Sequence, residues 1–299
     1  MNTTIVRRLT RGVTAGVAVA GLLTAGLVAA APAYALSGLT RVSATSVRDT
    51  AATKTVQAAC PTGMVPLGGG GVPHPTRPQD VKIRAAGVHL TDTGSYYAVT
   101  ADVASDPELV GPWDLTVSAV CAPQPSGYEI RSSYSPFSPG GFKGLSAQCS
   151  AGKKVLSVGG FVYRLGGVAA PELTLNGFSF VGDNGASMAA QTWRYGFSGN
   201  WMDELDLVCA EPPSGYTKLQ NTLTVPGNIT DHAVHGVGSG VCPPGAGVVG
   251  LGAAVGTVGQ HVQPIAIDLQ PGIAIVQGVA DTEGEATNWS MTVQAICLT

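Results

Sequence analysis

The sequence predicts an all-β protein of three tandem, disulfide-pinned antiparallel β-sandwich modules. Three observations predict it. Six cysteines fall into three evenly spaced pairs, a tryptophan precedes the second cysteine of each pair at one fixed distance, and each tryptophan-to-cysteine stretch alternates in polarity.

The cysteines are Cys60, Cys121, Cys149, Cys209, Cys242 and Cys297. Trp113, Trp201 and Trp289 each stand eight residues before a second cysteine, with a period of 88 residues. Glycine follows each first cysteine at the third position (Gly63, Gly152, Gly245) and at the tenth (Gly70, Gly159, Gly252). Equivalent copies must fold alike, so the repeat selects the pairing Cys60–Cys121, Cys149–Cys209 and Cys242–Cys297 from the 15 that six cysteines allow. Closing a loop of this length stabilises a module by roughly 4 kcal/mol in the chain-entropy picture. Zinc would need closely spaced ligand pairs, and no two cysteines lie that close.

Trp113, Leu115, Val117, Ala119 and Cys121 share one parity, and Asp114, Thr116 and Ser118 the other. That is a strand with one buried face, and it predicts an indole packed near the disulfide. Turn formers at Asp92–Gly94, Asp183–Gly185 and Pro271-Gly272 predict a hairpin in each copy. The count is about five strands per module and no amphipathic helix. Pro125-Ser126-Gly127-Tyr128 and Pro213-Ser214-Gly215-Tyr216 mark the module joints. The predicted organisation is a leader over 1–35 and modules over 36–124, 125–212 and 213–299, each with its own core. A single pseudo-threefold β-prism, with one copy per wall, is the alternative.

The leader has Arg7, Arg8 and Arg11 ahead of an uncharged stretch, then Ala33-Tyr34-Ala35 as a cleavage site. Of 16 Lys+Arg its removal takes those three, leaving 13 against 19 Asp+Glu and a net charge of −6. No basic run remains for a nucleic-acid partner, and no second long apolar stretch for a membrane span. The arrangement C-x2-G, G-G, W-x7-C resembles a repeat of secreted actinobacterial proteins of unknown role, and the Ala-rich leader is similar too. The resemblance covers most of the mature chain. It implies export and a β fold, and it brings no site residues with it.

No catalytic, cofactor or metal motif emerges. The run Gly68–Gly71 precedes Val72-Pro73-His74-Pro75, which does not start the helix a phosphate loop needs. Asp231, His232 and His235 lie in an extended stretch without a matching thiolate or carboxylate cluster. Asp203, Glu204 and Asp206 cluster in the second copy; they read as a solvated acidic edge, with Asp203 at the rim of the sheet. All six phenylalanines are in that copy, and Trp193, Tyr195 and Phe197 share a parity. An aromatic stripe of this kind suits a sugar ring or a protein partner. The expectation is a secreted, non-catalytic binding or structural protein of the extracellular space or envelope, with a glycan or protein partner. A secreted hydrolase or a protease inhibitor is the alternative.

Overall fold

The computed structural model describes residues 38–92, 94–104, 111–166, 172–192, 197–228, 230, 232–256, 261–280 and 284–299. The leader therefore lies outside the described residues, as do Trp193, Tyr195 and Asp231.

Apart from one short 3-10 turn at Pro78–Asp80, the described elements are all strands. Repeat 1 supplies β1 (Thr40–Thr45), β2 (Thr53–Ala59), β3 (Met64–Pro73), β4 (Val81–Thr91), β5 (Gly94–Val103) and β6 (Leu115–Pro123). Repeat 2 supplies β7 (Glu129–Tyr134), β8 (Phe142–Gln148), β9 (Lys154–Arg164), β10 (Leu173–Val181), β11 (Gly185–Thr192) and β12 (Trp201–Ala210). Repeat 3 supplies β13 (Thr217–Val225), β14 (His235–Gly238), β15 (Gly247–Gly256), β16 (Val262–Leu269), β17 (Ala274–Ala280) and β18 (Trp289–Leu298). Each repeat has six strands rather than five. The extra one is the first strand, which pairs with the cysteine-bearing last strand.

Within a repeat the first, sixth and third strands form one layer, and the second, fifth and fourth form the other. The layers face each other. In repeat 1, β3 packs on β4 and β5, and β2 packs on β6. Gly69 and Gly71 in β3 leave the space that the Tyr97 and Val99 side chains of β5 fill. The predicted hairpins join the fourth and fifth strands of every repeat. The disulfides are Cys60–Cys121, Cys149–Cys209 and Cys242–Cys297, and each ties one layer of its own repeat to the other. The glycine three residues after each first cysteine has φ between 80° and 83° and closes a tight turn there. Only glycine adopts that backbone at little cost.

The repeats do not keep separate cores. Every layer continues, edge to edge, into a layer of another repeat, giving three six-stranded antiparallel sheets. Sheet I is β1-β6-β3-β16-β17-β14, shared by repeats 1 and 3. Sheet II is β2-β5-β4-β9-β12-β7, shared by repeats 1 and 2. Sheet III is β13-β18-β15-β10-β11-β8, shared by repeats 2 and 3. The association is head-to-tail and closes on itself, as in a threefold ring. No sheet belongs to one copy, as the prism alternative would have it, and most of the buried apolar residues form one continuous cluster drawn from all three repeats.

The tenth-position glycines explain this closure. A Cβ on Gly70 would meet the Ile267 carbonyl of repeat 3 at 2.2 Å, one on Gly159 the Ala86 carbonyl of repeat 1 at 2.8 Å, and one on Gly252 the Phe178 carbonyl of repeat 2 at 3.2 Å. Backbone of the adjoining repeat lies where a side chain would be. Near the axis Gly68, Ser157 and Gly250, each eight residues after a first cysteine, crowd together. The joint tyrosines clamp neighbours: Tyr128 donates to the Pro66 carbonyl at 2.9 Å, and Tyr216 to that of Val155 at 3.1 Å.

The indole is not beside the disulfide. Eight residues of strand separate Trp from Cys by roughly 26 Å, so the ring closes the opposite end of the sandwich. Trp113 donates to the Ala51 carbonyl and Trp201 to that of Gly140. A base covers each ring: Lys54 over Trp113 at 5.1 Å, Lys143 over Trp201 at 4.9 Å, and His235 edge-on to Trp289 at 5.5 Å.

Candidate binding face

The three sheets share one framework but not one surface. Three residues after each tryptophan stand Thr116, Glu204 and Thr292. On sheet I, Thr116 pairs across the strands with Thr45, their hydroxyls 3.0 Å apart. On sheet III, Thr292 does the same with Thr222, also at 3.0 Å. On sheet II the equivalent pair is Glu204 with Tyr134. Twelve residues after each first cysteine stand Val72, Phe161 and Ala254; again the aromatic one is on sheet II.

Four rings form a ribbon across sheet II. Tyr96 (β5) stacks on its cross-strand partner His89 (β4) at 5.1 Å and 28°. His89 meets Phe161 (β9) edge-on at 5.1 Å, and Phe161 stacks with Tyr163 at 6.1 Å and 10°. The ribbon therefore crosses the seam between repeats 1 and 2. Phe161 is buried and packs into the space left by Gly87, whereas Tyr96, His89 and Tyr163 are half-buried. These residues, with Thr55, Gln57 and Thr100, line an open depression of about 210 Å³.

The polar groups at the ribbon's end are ordered. Glu204 sits opposite Phe161, and its carboxylate raises both the Tyr163 and the Tyr134 hydroxyls. Burial, then the neighbouring Glu204 carboxylate, raises the Tyr163 hydroxyl far above its ordinary range. Asp206, two residues along on the same face, is pushed up to about 6 by burial, against the pull of the Ser132 hydroxyl. Its Oδ1 has no hydrogen-bond partner. Burial lowers the His89 imidazole, with Glu204 acting in the opposite sense. The Arg84 guanidinium is engaged already: it pairs with the buried Asp102 and donates from Nη1 to the Val162 carbonyl at 3.0 Å.

Of the acidic cluster, Asp203 is not at a rim. It is fully buried on the core face, where the other repeats carry Leu115 and Met291, and neither carboxyl oxygen has a hydrogen-bond partner. Burial pushes it up to about 7, against the pull of Lys143. Strand parity sends Asp203 inward and its neighbours Glu204 and Asp206 outward, so the three carboxylates do not form one group.

Phe197 is half-buried against the core, with Arg164 over its ring at 5.1 Å and Gly199 beneath it. Sequence reasoning noted Phe161 and Glu204 only as members of a composition and of a cluster, and missed Tyr96, Tyr163 and Tyr134. The available signal was a comparison of copies position by position: Tyr134–Glu204 stands where the other copies have Thr–Thr. Among the described residues no group of three metal-ligating side chains gathers, and no helix is long and apolar enough to cross a membrane. No protein-family model matches the chain, and no curated protein matches it in sequence.

Proposed function

We propose that this chain is a secreted, non-catalytic binding protein of the extracellular space or envelope, and that the outer face of sheet II binds a saccharide across the seam of repeats 1 and 2. One observation carries the reading. Three equivalent faces exist, and one of them replaces small hydroxyl pairs with a ribbon of rings edged by a carboxylate. Aromatic rings offer large amphipathic area to the C–H faces of a sugar. The hydroxyl and amide groups of Thr55, Gln57 and Thr100 along the same depression are suited to sugar hydroxyls. The three disulfides fit an oxidising compartment. Binding is favoured over hydrolysis because Asp203 faces the core and Asp206 is buried, so neither joins Glu204 at the surface.

A glycan array with wild type, Tyr96→Ala, Tyr163→Ala and Trp193→Ala tests this. Wild type retains a saccharide class, both tyrosine variants lose it, and thermal midpoints stay within a few degrees. No retention by wild type refutes saccharide binding. Loss in Trp193→Ala alone moves the site to the 193–197 segment.

A further inference from the structure

We propose that the sheet II face selects a sugar carrying a free, protonated amine over neutral and acidic sugars, with Glu204 as the recognising group. This rests on the saccharide reading and names the ligand class for the same face. Charge decides it. Among the described residues the one cation lining the depression, Arg84, is already paired with the buried Asp102 and fixed to a main-chain carbonyl. It has no charge left for an acidic ligand. Glu204 stands on the outer face beside the rings without a salt-bridge partner among the described residues, whereas Asp206 on the same side of the strand is buried. At the ribbon's centre, burial disfavours the charged form of His89, against the pull of Glu204. A ligand ring stacked on Tyr96 and His89 and extending along the ribbon reaches Tyr163 and Glu204 at its other end. An amine there gains attraction to the carboxylate and to the faces of the tyrosine rings. A uronic acid in that place meets like charge.

Titration calorimetry on the full mature chain at about pH 6 tests the inference with four named probes: a fully deacetylated glucosamine hexamer, its N-acetylated counterpart, a galacturonic acid hexamer and hexalysine. The expected order is glucosamine hexamer about tenfold tighter than N-acetyl hexamer, with the uronic hexamer weakest; the preference shrinks as salt rises. Glu204→Gln brings the amine preference to about one, and Tyr96→Ala weakens both hexosamine ligands. The inference is overturned by uronic binding equal to the amine's, by a preference that survives Glu204→Gln, or by hexalysine binding as tightly as the amino sugar. N-acetyl binding that depends on Tyr96 but shows no amine preference also overturns it, while leaving the saccharide reading intact. Binding of no saccharide removes both.

Discussion

Sheets I and II are built from equivalent strands in equivalent order, yet their outer faces have different chemistry. On sheet I the cross-strand pair is Thr45–Thr116 and the twelfth-position residue is Val72. On sheet II the same places hold Tyr134–Glu204 and Phe161. The framework needs neither set, since the staples, the tenth-position glycines and the tryptophan ends serve all repeats alike. The face that departs from the shared pattern is the one for which binding is proposed. The same logic holds inside: Asp203 occupies a position where Leu115 and Met291 show an apolar residue fits.

The largest effect expected concerns that interior difference. An acid whose folded pKa is raised to about 7 is favoured when protonated. Its contribution is whole below the unfolded value near 4, declines as pH rises, and is gone above about 7; the shift corresponds to roughly 4 kcal/mol. Denaturant unfolding at several pH values is predicted to show wild type losing stability through that window. Asp203→Leu, which installs the residue of repeat 1, removes most of that slope; Asp206, raised in the same sense, accounts for part of what remains. An unchanged slope means the carboxyl is not buried as described.

Next in size is Gly87→Ser. The equivalent positions on the other sheets carry Ser179 and Asp268. On sheet II a Cβ would lie 2.4 Å from the Phe161 ring. Displacing that ring is predicted to cost about 1–3 kcal/mol by chemical denaturation and to weaken saccharide retention. Tyr134→Thr with Glu204→Thr converts the sheet II pair to that of its neighbours. It is predicted to change stability by less than about 1 kcal/mol and to reduce saccharide retention severalfold on an affinity column. The smallest effect is the reverse graft on sheet I, Thr45→Tyr with Thr116→Glu. Calorimetry is predicted to show a change within about 0.5 kcal/mol and no gain of binding, because Val72 supplies no ring for the ribbon.

Much of the fold was legible in the residues. Cys–Trp spacing gave the repeats, the disulfide pairing and a sandwich within each copy, because those depend on local register. The merging of layers was not legible as such, although the tenth-position glycines were its trace. A glycine records that something lies close, not which strand it is. The Trp–Cys distance was misjudged because a shared parity says which face two residues occupy, and the strand rise sets how far apart they are. Asp203 was placed at a rim on the cost of burying a carboxylate, a cost that its raised pKa reduces. The ring ribbon was out of reach for a related reason. Tyr96, His89, Phe161 and Tyr163 come from three strands and two repeats, and only the seam β4–β9 brings them together.

The most direct test of the binding face is chemical-shift mapping of the isotope-labelled chain titrated with the saccharide best retained on the array. The account predicts shifts gathered on β4, β5, β9 and β12, around His89, Tyr96, Phe161, Tyr163 and Glu204, with sheets I and III silent. Shifts centred on sheet I, on sheet III or on residues 193–197 would contradict it.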